Sequence, residues 1–214
     1  AHLRLFSKVT DVCFRDKTSY RAFKRLPNAR FAPDLAFAGN RLPPAAAPER
    51  PYAVVSVILL ETRRRLREYQ AQYQQTMARM VLALNDRGLD AVLMAFCVGE
   101  GDAAAAERLA EAIRAESPGA RYRQHVYRGD MDEAARLVAG STAVVATRFH
   151  AMVLGWLFGK PVLPVVYDEK MDQVLEDVAY GGPALRLDNL GAQDAGQAAD
   201  RLLASVPLDV SDTV

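Results

Sequence analysis

The sequence predicts an α/β protein, a Rossmann-like doubly wound parallel sheet with helices on both faces. Three observations predict it. From residue 52 onward, short apolar runs alternate with longer segments of helical periodicity. Most of the apolar runs carry no period-2 polarity, the mark of strands buried on both faces and so of a parallel sheet under helices. The helical segments close at Gly or Pro. With right-handed crossovers this pattern gives a three-layer sandwich, whose ligands sit outside the carboxyl ends of the strands.

In order, the chain opens on a strand over 9–14, a helix over 15–26 with Tyr20, Phe23 and Leu26 on one face, and an extended stretch over 29–37 broken at Pro33-Asp34. A strand-helix-strand piece of this size cannot bury its own faces. Residues 1–38 are therefore expected to be the tail of an N-terminal α/β domain, most of which is absent. The lack of an initiator Met points the same way, to residues missing before Ala1. Residues 39–51, rich in Pro and Ala, read as a linker. Strands follow over 52–60, 90–98, 121–127, 142–147, 161–166 and 184–187, the third more polar than the rest. Helices fall over 64–87, 103–116, 131–139, 149–158, 170–178 and 197–205. Residues 52–214 thus form one domain.

Composition is that of an ordinary globular protein: half the residues are apolar and a quarter charged. A formal charge of +1 argues against bulk binding to nucleic acid or to an anionic membrane. No apolar run approaches the ~20 residues that span a bilayer. Of the 27 cationic residues only five are Lys, a bias that suits fork-like recognition of carboxylate or phosphate. Cys13 and Cys97 have no CxxC pairing and read as small buried hydrophobes in a reducing compartment. His2 and His125 lack partners at metal-ligand spacing. No cofactor is expected, and no metal-ligand set is assigned.

The sharpest feature is Thr147-Arg148-Phe149-His150, at the carboxyl end of a buried strand and in the first turn of a helix. Helix N-termini attract anions, so a cation there disfavours the helix and asks for another reason. An anionic ligand supplies one, and so does an ion pair to a nearby carboxylate. His150 can donate a hydrogen bond or a proton near neutral pH. The next strand ends in Tyr167-Asp168-Glu169-Lys170 on the same sheet edge. Tyr167, Asp168 and Lys170 can meet the same ligand, although Asp168 is equally suited to cap the following helix. Arg15-Asp16 also follows a strand and can face a cleft between domains. Gly99-Glu100-Gly101-Asp102 lacks a third glycine and reads as a loop and cap. Arg63-Arg64-Arg65-Leu66-Arg67 reads as a solvated helix face from which one residue can enter the cleft.

Three ordered blocks resemble the signature of polysaccharide pyruvyl transferases: Thr147-Arg148-Phe149-His150-Ala151, then Phe158-Gly159-Lys160-Pro161-Val162, then Tyr167-Asp168-Glu169-Lys170-Met171. Arg15-Asp16-Lys17-Thr18-Ser19 resembles the family's R-D-x-x-S element, and Pro33-Asp34 its P-D. The resemblance implies one half of a GT-B-like two-domain enzyme with its active site between the domains. It implies transfer of a pyruvyl group from phosphoenolpyruvate, the donor substrate, to a sugar of a polysaccharide precursor, forming a ketal and releasing phosphate. Arg148 and His150 are then the catalytic residues, and Arg15, Phe149, Tyr167, Asp168 and Lys170 contact substrate. The acceptor is a sugar or a lipid-linked saccharide. The setting is the cytoplasm, at most peripheral to the inner membrane face, and a homo-oligomer is compatible. The absence of most of the N-terminal domain puts the activity of this chain alone in question.

The same cleft suits two other readings. One is a GT-B glycosyltransferase or sugar-nucleotide epimerase using a nucleotide sugar. The other is a sugar- or anion-binding module without turnover. Under the transferase reading, Arg148→Ala or His150→Ala should slow transfer at least ~100-fold while leaving the fold intact.

Overall fold

The computed structural model describes residues 2–32 and 48–210. The linker expected over 39–51 therefore lies outside the described residues up to residue 47, as does Asp34. The first stretch forms helix α1 (His2–Phe6), strand β1 (Val12–Phe14), helix α2 (Lys17–Phe23) and strand β2 (Ala29–Phe31). β1 and β2 pair in parallel in a two-stranded sheet of their own. Its aromatic side chains cluster without any being fully buried: Phe6 meets Phe14 and Phe23 edge-on at 5.7 and 5.0 Å, while Phe14 and Phe23 stack at 5.3 Å. Asp16 caps α2 by accepting the Ser19 N–H at 2.6 Å. This unit docks on the larger one. The Lys17 N–H donates to Asp177 Oδ2 at 3.0 Å, and Lys17 Nζ donates to the Asp177 carbonyl at 2.9 Å.

The larger unit comprises β3 (Tyr52–Ser56), α3 (Gln70–Asp86), β4 (Asp90–Ala95), α4 (Asp102–Glu116), β5 (Tyr122–Val126), α5 (Met131–Ala139), β6 (Ala143–Ala146), α6 (Phe149–Leu157), β7 (Val162–Val166), α7 (Glu169–Asp177), β8 (Leu185–Arg186) and α8 (Ala195–Ala204). Its six strands are all parallel, in the order β5-β4-β3-β6-β7-β8. The chain winds outward from β3 in one direction, then returns to its other side at β6. The switch point of this doubly wound sheet therefore lies between β3 and β6, where Ser56 pairs with Ala146 at the carboxyl ends.

Burial explains the apolar runs. Successive residues of β3 serve opposite faces: Ala53 and Val55 join one core with α3, α4 and α8, while Tyr52 and Val54 join the other with α5, α6 and α7. β5 is an edge strand with Arg123 and Gln124 exposed, which accounts for its polarity. α6 lies flush on the sheet at Gly155, where a Cβ would come within 2.6 Å of Val162 Cγ2 and 3.3 Å of Val144 Cγ2. Gly155→Ala is therefore expected to destabilise the domain by about 1–3 kcal/mol through overpacking, read as a lower midpoint in urea.

Two departures from the sequence reading have local causes. β3 ends at Ser56 although residues 57–60 stay buried, because side chains replace the ladder: Ile58 N–H donates to Tyr73 Oη at 3.4 Å and Leu60 N–H to Gln70 Oε1 at 2.8 Å. The same Gln70 side chain marks the start of α3, so residues 61–69 form turns and a single 3₁₀ turn rather than the first part of that helix. The cysteines also differ from expectation. Cys13 lies on the outer face of β1 and is exposed, and Cys97 is half-buried; both are free thiols.

Candidate functional site

The carboxyl edge of the sheet borders a cleft of roughly 840 Å³. Its floor between α5 and α6 is apolar, with Phe96, Leu154 and Phe158 among its residues. Its mouth is charged: Arg63, Glu100, Arg148, His150 and Lys170 line it, with Tyr167 beside them. Apolar walls around a few convergent polar groups are the usual make-up of a ligand site.

Arg148 is the N-cap residue of α6, in extended conformation, placed by β6. Its backbone is fixed at the switch point by Ser56. That hydroxyl accepts the N–H of Thr147 at 3.0 Å and of Arg148 at 3.1 Å, tying the end of β3 to the end of β6. Thr147 Oγ1 in turn hydrogen-bonds the buried Tyr73 hydroxyl at 2.9 Å. Burial pushes the Tyr73 phenol far above its ordinary range, so it stays neutral.

The guanidinium of Arg148 is held by two carboxylates. Nε donates to Asp102 Oδ2 at 2.8 Å, Nη2 donates to Asp102 Oδ1, and Nη1 donates to Glu100 Oε2 at 2.7 Å. The Asp102 side chain is fully buried and the Arg148 side chain only 12% exposed. Asp102 Oδ2 also accepts the Cys97 N–H at 2.8 Å. Burial alone would lower the Arg148 pKa, but the hydrogen bonds to Asp102 and Glu100 outweigh it and raise the pKa. Glu100 is held below the usual carboxylate range by its hydrogen bond from Arg148, against a smaller opposing effect of burial. Of the two readings of Arg148 from the sequence, the structure shows the ion pair to nearby carboxylates; the residue also lines the cleft.

His150 is exposed on the first turn of α6, its ring edge-on to Phe149 with centroids 5.2 Å apart. The buried Phe149 ring gathers cations. The Arg15 guanidinium lies 5.2 Å from its centroid and Lys170 Nζ 4.5 Å. Arg15, which reaches Phe149 from the end of β1, and Lys170, early in α7, thus meet on a single ring. Tyr167 carries the Arg63 guanidinium 5.4 Å from its centroid, and burial raises its phenol pKa. Asp168 is not brought into the cleft wall. It caps α7, its carboxylate accepting the Met171 N–H at 3.0 Å.

Sequence reasoning passed over Ser56, read Glu100 and Asp102 as a loop and cap, and allowed one residue of the run 63–67 into the cleft without singling out Arg63. Asp102 is not a cap: Gly101 occupies that position and Asp102 opens α4. The glycine there serves packing, since Gly101 has φ +87° and a Cβ would lie 2.8 Å from Leu59 Cδ2. The available signal was an acidic residue where the chain leaves β4 and enters α4, opposite in sign to Arg148 and on the same sheet edge. Among the described residues no cluster of three or more His, Cys, Asp or Glu side chains is placed to hold a metal ion.

The all-parallel, doubly wound strand order and the cleft at its carboxyl edge define the class: a Rossmann-like α/β domain. The chain belongs to the polysaccharide pyruvyl transferase family, whose profile matches residues 2–169. Solved structures share the fold. An α,α-trehalose-phosphate synthase (UDP-forming) from Burkholderia xenovorans, in complex with glucose-6-phosphate, is 11% identical with a TM-score of 0.56, over 96% of this chain and 55% of that one. The N-terminal domain of Candida albicans trehalose-6-phosphate phosphatase is 7% identical with a TM-score of 0.52, over 95% and 52%. The trehalose-6-phosphate synthase OtsA is 8% identical with a TM-score of 0.51, over 94% and 57%. This chain thus spans about half the length of these structures, and at such identities the likeness concerns the fold. No curated protein sequence matches the chain. Among the described residues, no helix is long and apolar enough to cross a membrane.

Proposed function

We propose that the full-length protein transfers a pyruvyl group from phosphoenolpyruvate to two hydroxyls of a sugar in a polysaccharide precursor, and that the cleft at Arg148 and His150 is the donor site. The observation that carries this reading is the convergence of Arg148, Lys170 and His150 on one cleft at the sheet's carboxyl edge, in a chain of this family. Phosphoenolpyruvate carries a carboxylate and a phosphate on one small frame. Guanidinium forks, an ammonium and a helix N-terminus suit both groups. Lys170 adds positive charge at the mouth, while Arg15 rests on the same Phe149 ring but is not among the cleft's lining residues.

In the proposed reaction, protonation of the donor's methylene carbon makes its C2 electrophilic. One sugar hydroxyl adds there, the C2–O bond to phosphate breaks, and the second hydroxyl closes the ketal. Of the two hydroxyl protons lost, the balance places one on the new methyl group and the other on the departing phosphate. In this scheme His150 delivers the proton to the methylene or assists the departing phosphate. The protein uses no cofactor in this scheme and works in the cytoplasm, at most peripherally attached to the membrane.

The test is release of inorganic phosphate from phosphoenolpyruvate by the full-length protein, against a panel of lipid-linked and nucleotide-linked sugars. Phosphate release that depends on one acceptor is expected. Thermal stabilisation by a nucleotide sugar but not by phosphoenolpyruvate would replace this reading with a glycosyltransferase.

A further inference from the structure

We propose that Glu100 is a built-in competitor at the donor site: its carboxylate holds the place between Arg63 and Arg148 that a substrate carboxylate takes on binding. The inference rests on reading the cleft as the donor site, and adds to it a subsite and a residue that tunes its affinity.

Glu100 Oε2 accepts from Nη1 of Arg148 at 2.7 Å and from Nη2 of Arg63. One carboxylate oxygen bridged by two guanidiniums is how a bound carboxylate would be received there. Both arginines and Glu100 itself line the cleft.

The two carboxylates on Arg148 are not equivalent. Asp102 is fully buried, occupies the Nε and Nη2 edge of the fork with both oxygens, and is held in turn by the Cys97 N–H. Glu100 is half exposed and meets only the remaining nitrogen, Nη1. It closes a 3₁₀ turn (Val98–Glu100) and is followed by Gly101 in the left-handed region. Exposed ion pairs are weak and easily exchanged, whereas breaking a buried bidentate pair leaves an uncompensated charge. Asp102 therefore fixes the guanidinium, and Glu100 is the partner that can leave. Arg63 is supported independently by the Tyr167 ring beneath it, so it keeps its place when Glu100 swings out.

A competing internal group reduces apparent affinity by the fraction of time it occupies the site. If Glu100 does so for most of the time, removing its charge should tighten carboxylate binding by about 3–10-fold. Inorganic phosphate, which lacks a carboxylate, should gain less.

The test uses the full-length protein and the variants Glu100→Gln and Glu100→Asp, the second keeping the charge but shortening its reach. Calorimetric titrations with pyruvate, inorganic phosphate and phosphoenolpyruvate give Kd for each. In both variants the pyruvate and phosphoenolpyruvate Kd should fall about 3–10-fold, with KM falling in proportion. Unchanged or weakened pyruvate binding in both variants overturns the proposal, and so does absence of pyruvate binding in all three proteins. Tighter pyruvate binding in the variants without any turnover of phosphoenolpyruvate would defeat the proposed function and leave the role of Glu100 standing. Turnover without tightening would do the reverse.

Discussion

In the full-length protein, His150→Ala is expected to slow phosphate release from phosphoenolpyruvate at least about 100-fold, the usual contribution of a placed general acid. The thermal midpoint should shift by no more than about 1–2 °C, because an exposed side chain on a helix surface contributes within ~0.5 kcal/mol of stability. His150 is exposed at the cleft mouth, and its ring rests edge-on against Phe149. The loss should appear in kcat as well as kcat/KM, since proton delivery belongs to the transition state. A rate within a few-fold of the parent would remove His150 from the chemistry. Arg148→Ala is not an equally clean probe. The sequence suggests that this change leaves the fold intact, but Arg148 is the charge partner of the fully buried Asp102. Its removal mixes lost binding with lost stability.

That contrast shows what the sequence carries. β3, β4 and β6 were legible because strands buried on both faces are apolar at nearly every position, with only Ser56 and Asp90 polar here, a property of contiguous residues. Arg148 was legible because a cation at a helix start violates a local rule. Its partner was not, because Asp102 lies 46 residues earlier, at the start of α4 after β4, and β4 and β6 are separated in the sheet by β3. Only the winding of the sheet brings their carboxyl ends together. The same holds for Arg63, read only as part of the basic run 63–67 from which one residue can enter the cleft. Gln70 begins α3 later than periodicity suggests, and the turn this leaves carries Arg63 onto Tyr167 and Glu100. α1 was missed because five residues are too few to show a period.

The largest stability effect is expected at Asp102. Asp102→Ala leaves the Arg148 guanidinium, itself mostly buried, with Glu100 as its remaining carboxylate, and strips the Cys97 N–H of its acceptor. Breaking a buried pair from one side costs roughly 3–5 kcal/mol, which for a domain of this size lowers the thermal midpoint by about 6–20 °C. Asp102→Asn should cost less, because the amide oxygen still accepts from Cys97 or Arg148 while the charge is lost. The decisive measurement is the double variant Asp102→Ala with Arg148→Ala. If the two groups are held mainly by each other, removing both deletes the uncompensated charge that each single change leaves behind. The double variant should then be more stable than the sum of the single effects predicts, by about 1–3 kcal/mol. Strict additivity in urea melts would mean that Asp102 and Arg148 are anchored separately, and that the sheet edge does not depend on their pairing. The kinetic counterpart separates anchoring from chemistry. Asp102→Asn should raise KM for phosphoenolpyruvate more than it lowers kcat, because Asp102 is fully buried outside the cleft lining and acts by holding the arginine fork in place.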